Sequence, residues 1–166
     1  MAALWRGGGF IRRCGWIKRA RASQPVEPEI RAMSTAHSLP VRVYYEDTDF
    51  SGVVYHASYL RFMERGRTEL IRALGVEQRE LFDGDTALGF AVRRMTIDFL
   101  LPAVMDDLLT VETRSVAARG ATMDVEQRVL RGEEVLVTAK VLVACVGGGR
   151  ARRIPDALRQ RLMIAD

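Results

Sequence analysis

The chain has 166 residues, 48% of them apolar, which is about one domain with enough hydrophobic mass for a sizeable core. Its formal charge is +4, but residues 1–36 hold seven basic and two acidic residues, a surplus of +5, so residues 37–166 carry −1. That near-neutral body removes the main electrostatic argument for nucleic-acid binding, and no run approaches the ~20 apolar residues of a membrane helix.

Cys14 and Cys145 are too few and too far apart for a disulfide framework or a zinc knuckle, so a cytoplasmic compartment is expected. Residues 1–36 mix Gly7-Gly8-Gly9, scattered arginines, Pro25 and Pro28 with no helical or strand period, and read as a disordered basic extension. The arginine-rich, acid-poor start is transit-peptide-like. Met33, just ahead of the patterned region, is the favoured start, with residues 37–166 as the single folded domain.

Leu39 to Glu46 alternates and is rich in Val and Tyr, the pattern of a first strand, which would send Tyr45 and Asp47 to one face and Glu46 to the other. An acidic cluster follows, then a bend at Gly52 and a helix opening near His56. From Ala57 to Leu74, Leu60, Met63, Leu70, Ile71 and Leu74 recur at helical spacing, with Tyr59, Phe62 and Gly66 on a neighbouring stripe. So wide a stripe predicts burial on more than one side, with Gly66 admitting a close neighbour and Gly75 as the stop. Arg61, Arg65 and Arg67 are expected to pair with Glu64 and Glu69 on the helix surface, Arg65 with Glu69 at i, i+4.

A short helical turn is expected at Glu77 to Phe82, before Asp83-Gly84. Four long β-patterned runs then cover Ala87–Leu101, Leu108–Ala118, Ala121–Arg131 and Glu133–Val146. Arg119-Gly120 and Arg131-Gly132 are short enough for hairpins. One strand, a long helix and four strands make an α+β plan, a central helix wrapped by a five-stranded antiparallel sheet. Gly147-Gly148-Gly149 before Arg150, Arg152 and Arg153 lacks the Lys-Ser/Thr of a phosphate loop and ends the last strand. Leu158 and Leu162, after Pro155, predict a short helix within Ile154 to Met163.

The chemistry concentrates in Val41 to Leu60. Asp49 stands just before the bend at Gly52, and the helix opening near His56 aims its free N–H groups into the same space. A carboxylate facing oriented donors suits hydrolysis of an acyl group. Asp49 also reads as a turn or capping aspartate, and His56 either as a proton donor or as a hydrogen-bonded helix-terminal side chain. Tyr45 and Tyr55 suit either the site or packing. Glu46, Asp47, Asp49 and His56 match no standard metal-ligand spacing, so no metal is expected.

The stretches VRVYYEDTD, GVVYHASYLRF, VRRMTIDFLLPAVMDDLLTVET and EVLVTAKVLVACV resemble the bacterial acyl-CoA thioesterases associated with the Tol-Pal system (YbgC-type). These sit in the wider 4-hydroxybenzoyl-CoA thioesterase group of hotdog folds, and the resemblance spans about Leu39 to Val146. It implies a cofactor-free hydrolase in which Asp49 is nucleophile or general base and the His56 backbone N–H polarises the thioester carbonyl, with Tyr45, Gly52 and Tyr55 positioning substrate. Glu64 sits where other hotdog branches keep a helix glutamate base, and is expected to be ion-paired instead. Coenzyme A carries phosphate, so basic residues are expected around the mouth of the site, and Arg93, Arg94 and Arg119 are the candidates. Phe50-Ser51 stands where many relatives have a small residue and Gly, which makes Phe50 a candidate for narrowing the acyl pocket or packing on a neighbouring subunit.

The resemblance further implies a homo-oligomer, a dimer or dimer of dimers (a homotetramer), with the site at a subunit interface. Acyl-CoA is the expected substrate and acyl carrier protein a candidate partner; neither nucleic acid nor membrane insertion is expected. Two alternatives stay open: hydration or dehydration of an acyl thioester by an Asp49/His56 pair, and a non-catalytic scaffold that binds acyl thioesters or acyl carrier protein.

Overall fold

The computed structural model describes residues 36–76 and 87–164. The expectations for residues 1–35 and for the Glu77–Gly84 segment lie outside them. Nine elements follow in chain order: β1 (His37–Arg42), a single 3-10 turn (Tyr45–Asp47), α1 (His56–Ala73), β2 (Gly89–Phe99), β3 (Leu108–Arg119), β4 (Thr122–Arg131), β5 (Glu134–Gly147), β6 (Arg150–Ala151) and α2 (Asp156–Ile164). The sheet runs in the order β1-β3-β4-β5-β2, antiparallel throughout, and β6 adds two residues on β5. This is the expected α+β plan, including hairpins at Gly120 and Gly132, both with positive φ.

The first strand is shorter than its pattern suggests. It stops at Arg42, and Tyr45–Asp47 forms a 3-10 turn in place of extended chain, so the alternating placement of Tyr45, Glu46 and Asp47 does not hold. The reason is local: the Asp47 carboxylate accepts the Tyr44 N–H at 3.0 Å and curls the backbone out of the sheet.

Helix α1 buries Tyr59, Phe62, Met63, Gly66, Leu70 and Ile71, spaced three and four apart, against the concave face of the sheet, while Leu60 faces out. Phe62 and Met63 are fully buried, each worth about 1.5–3 kcal/mol of transfer free energy. What comes close at Gly66 is a set of side chains: a Cβ there would stand 2.7 Å from Thr113 Oγ1 and 2.9 Å from Val111 Cγ1. Beneath it, the buried Gln127 donates to the Met63 carbonyl (2.8 Å) and to Thr113 Oγ1 (2.9 Å) and accepts from Arg67 (2.6 Å), so this polar group inside the core is satisfied. Burial lowers the Arg67 pKa from its usual value. The expected Arg65–Glu69 pair does not form; Glu69 pairs with Arg72 and Glu64 accepts from the Thr68 hydroxyl.

At the C-terminal end of α1, Gly75 (φ 74°) donates to the Arg72 carbonyl and Val76 to the Ile71 carbonyl, a Schellman closure. Arg161 of α2 adds a bond to the Leu74 carbonyl at 2.7 Å. Ile154, Leu158 and Leu162 are buried in the core, which seats α2 as the sequence spacing predicts. Among the described residues no helix is long and apolar enough to cross a membrane.

Candidate active site

The N-terminal end of α1 is built in the opposite way. Its N-cap, Tyr55, makes no side-chain capping bond. Among the described residues the N–H groups of His56 and Ala57 find no acceptor, whereas Ser58 N–H bonds back to the Tyr55 carbonyl. Two oriented donors at the positive end of the helix dipole are therefore left for a ligand.

Asp47 holds this helix end to the turn before it. Its buried carboxylate accepts from Tyr44 N–H and from Arg61 at 3.4 Å. Its carbonyl accepts from Tyr55 N–H at 2.8 Å and from the Ser58 hydroxyl at 3.1 Å. Both ends of the 48–54 excursion are thus fixed, and a Thr48–Val54 bridge closes it. Within that excursion Asp49 is exposed, and its Oδ1 accepts the Ser51 N–H at 2.8 Å and the Ser51 hydroxyl. Gly52 turns the chain with φ 79° and donates to the Asp49 carbonyl at 2.9 Å. Asp49 Oδ2 finds no partner among the described residues.

The other wall is the 100–107 loop. Val54 N–H bonds to the Ala103 carbonyl (2.8 Å), Val53 bridges to Val104, and Ala103 N–H donates to the Tyr59 hydroxyl (3.0 Å). Burial pushes the Tyr59 phenol above its ordinary pKa, which keeps it neutral. Asp107 anchors the loop by accepting from Val104 N–H and from Arg131 at 2.9 Å. Phe99, the last residue of β2, lies edge-on to the His56 ring (6.4 Å between centroids) and near Tyr59 (5.8 Å). The result is an exposed carboxylate on a turn tied to the uncapped end of α1, with the aromatic rings of His56, Tyr59 and Phe99 packed beside that end.

Of the residues expected at this site, Asp49, Gly52, Tyr55 and His56 share one neighbourhood. Tyr45 belongs to the 3-10 turn, and its ring is largely solvent-exposed. Phe50 is fully exposed at the tip of the turn. Arg93, Arg94 and Arg119 stand elsewhere. Arg93 is the extra residue of a bulge in β2, and Arg119, Thr122, Ala144 and Ala91 form one row across the sheet. Along the strand, Phe99 stands six positions after Arg93, about 20 Å. Sequence reasoning missed Arg61, Ser58, Tyr59 and Phe99 as parts of the site, because on periodicity alone they read as helix surface, core and strand end.

A long helix held against an antiparallel sheet, with this turn at its N-terminus, defines a hotdog domain of the thioesterase type. Residues 43–162 match the Thioesterase-like superfamily, and the chain belongs to that family. It is 47% identical over 122 residues to the acyl-CoA thioesterase YbgC of Haemophilus influenzae, covering 74% of this chain and 89% of the relative. To the acyl-CoA thioester hydrolase YbgC of Escherichia coli O6:H1 it is 46% identical, over 68% of this chain and 84% of the other. The crystal structure of a probable thioesterase from Bartonella henselae superposes with a TM-score of 0.70 at 49% identity, covering 72% of this chain and 99% of that one.

Proposed function

We propose that the chain hydrolyses acyl-CoA thioesters, with Asp49 as the catalytic carboxylate and the His56 N–H as the donor to the thioester oxygen. The observation that carries this reading is the pinning of the Asp49 turn to the uncapped end of α1 through Asp47, where His56 and Ala57 keep free N–H groups. In the hydrolytic step a water oxygen bonds to the carbonyl carbon and its proton passes to Asp49 Oδ2. The carbonyl oxygen gains charge against the His56 N–H, and collapse expels the coenzyme A thiolate, which takes up a proton. A direct attack by Asp49 would instead form a mixed anhydride that water then opens. Label in the Asp49 carboxylate after one turnover in oxygen-18 water would establish direct attack with the anhydride opened at the Asp49 carbonyl, whereas label in the product acid alone fits either route.

The phosphopantetheine arm is common to coenzyme A and acyl carrier protein, so carrier-bound thioesters fit the same chemistry. The assembly belongs to the reading as well. β1 is a six-residue edge interrupted by Pro40, whereas β2 is an eleven-residue edge with Val92 and Phe99 exposed. This asymmetry supports a dimer that joins its sheets along β2 and places the site near the subunit boundary, with a dimer of dimers as the larger form.

Thiol release from a panel of acyl-CoAs, run on the full chain and on Asp49→Asn, tests the reaction. Activity on some member that collapses in the variant is the expected result. Undiminished activity in Asp49→Asn overturns the role of Asp49, and a panel with no turnover favours a thioester-binding scaffold.

A further inference from the structure

We infer that Arg67 receives an anionic far end of the acyl group, so that the chain favours thioesters whose acyl part ends in a carboxylate. The inference rests on the hydrolase reading above, which seats the thioester at the His56 N–H, and deepens it by naming a substrate class.

His56, Leu60, Met63 and Arg67 stand at i, i+4, i+7 and i+11 and share one flank of α1. Both ends of that flank meet the sheet on the same side. The His56 ring lies edge-on to Phe99 of β2, and Arg67 donates to Gln127 of β4 at 2.6 Å. Beneath, the inner face of the sheet is laid out in rows. Phe99, Val137, Val129 and Val111 pair across it in one row, and Ile97, Ala139, Gln127 and Thr113 in the next, about 7 Å further along the strands. The line from the oriented donors to the guanidinium thus runs along α1 past Leu60 and beside Phe99, both exposed, towards the row of Ile97.

The core holds Arg67 in place. Gln127 Nε2 donates to the Met63 carbonyl and to Thr113 Oγ1, which leaves its Oε1 facing Arg67. Gly66 makes room for this, since a Cβ there would stand 3.2 Å from that amide nitrogen. The Arg67 side chain is half-buried, yet among the described residues it forms no ion pair. The acids expected to neutralise it are engaged elsewhere: Glu64 accepts from the Thr68 hydroxyl, and Glu69 pairs with Arg72. Burial lowers the Arg67 pKa, and the Glu64 charge offsets this only in part. A cation desolvated against a neutral amide is short of acceptors. Among the described residues its Nε and Nη2 donors have none, and a carboxylate arriving along the helix would take both in a bidentate pair.

The spacing sets the length of the acyl group. Arg67 stands eleven positions after His56, about 16 Å along the axis, and its side chain leans back towards the N-terminus. An extended chain gains about 1.3 Å per carbon, so a diacid of about eight to twelve carbons spans the distance.

Kinetics on matched pairs reads the assignment directly: coenzyme A monothioesters of α,ω-dicarboxylic acids of about six to fourteen carbons, each against the fatty acyl-CoA of equal length. In the wild type kcat/KM should favour the diacid thioester at least tenfold at the best length, chiefly through KM. Arg67→Met keeps the aliphatic stem and should bring that ratio to within about twofold of one, while Arg67→Lys should keep part of the preference. Equal kcat/KM within every pair, or a preference that survives Arg67→Met, overturns the assignment and leaves the hydrolase reading standing. A lower unfolding midpoint in Arg67→Met with an unchanged ratio likewise overturns it, by making Arg67 a structural residue.

Ligand-induced stabilisation is the independent arm, because it needs no turnover. Free decanedioate should raise the thermal unfolding midpoint of the wild-type chain and of Asp49→Asn more than decanoate does, and Arg67→Met should erase that excess. No excess in the wild type, or an equal one in Arg67→Met, overturns the assignment. A wild-type chain that shows the excess yet releases no thiol sinks the hydrolase reading alone.

Discussion

The two ends of α1 are closed by different rules. At the C-terminus the Ile71, Arg72 and Leu74 carbonyls accept from Val76, Gly75 and Arg161, so the closing turn is held by the protein's own donors. At the N-terminus Tyr55 provides no cap, and the N–H groups of His56 and Ala57 stay free while Asp47 holds the surrounding turn rigid through its carbonyl and carboxylate. A helix left uncapped by its own sequence gives up about 1 kcal/mol. Keeping that end tethered but uncapped trades a little stability for oriented donors. The comparison predicts that substitutions at one end act on rate and those at the other on stability.

The sharpest test is Asp49→Asn. The side chain is exposed and its contacts are to Ser51, two residues away, so stability should change by less than about 0.5 kcal/mol. Thiol release should fall on the order of a thousandfold, about 4 kcal/mol of barrier. Thermal unfolding beside kinetics checks both halves, and a variant that unfolds early would mean that Asp49 is a turn residue first.

Asp47→Ala breaks the separation on purpose. It strips acceptors from the Tyr44 N–H, in a part-buried bond, and from the exposed Arg61 side chain, which should cost about 0.5–1.5 kcal/mol of stability. On the proposed mechanism the turn that Asp47 holds presents Asp49 to the start of α1, so kcat should fall at least tenfold with KM little changed, whereas a purely structural role would leave kcat intact per folded molecule. Gly66→Ala probes the middle of the helix, where the new methyl would press on Thr113 and Val111. Overpacking of this kind costs about 1–3 kcal/mol, read as a lower urea midpoint at an unchanged slope, with no effect on turnover at saturating substrate.

The sequence carried the fold well because periodicity reports burial. The α1 stripe, the Gly120 and Gly132 hairpins, the Gly75 stop and the Leu158–Leu162 pair are local signals, and each element formed where its signal stood. It failed where a side chain bends the backbone: the Val-Tyr alternation up to Glu46 looks extended, but Asp47 curls it into a 3-10 turn. Part of the site was legible for the same reason, since Asp49, Gly52 and His56 are close in sequence. Tyr59, Phe99 and the loop at Ala103 were not, because they meet only after β2 has crossed the sheet. Arg93, Arg94 and Arg119 were candidates on charge and, for Arg119, on the family resemblance, and no local pattern reveals how far along a strand a charge lies from the α1 N-terminus.

The smallest effects belong to the closed end of the helix. Gly75→Ala forces a Cβ into φ 74°, and should cost about 1 kcal/mol. Arg161→Met keeps most of the aliphatic stem but removes the donor to the Leu74 carbonyl. The position is exposed, so water takes over that carbonyl and the loss should be about 0.5 kcal/mol. Neither variant should alter kcat or KM, since the altered groups lie at the far end of an 18-residue helix, about 27 Å from His56. If Arg161→Met lowered turnover while the unfolding midpoint stayed put, the two ends of α1 would be coupled, and the helix would have to be treated as one moving part rather than a fixed mount for its own N-terminus.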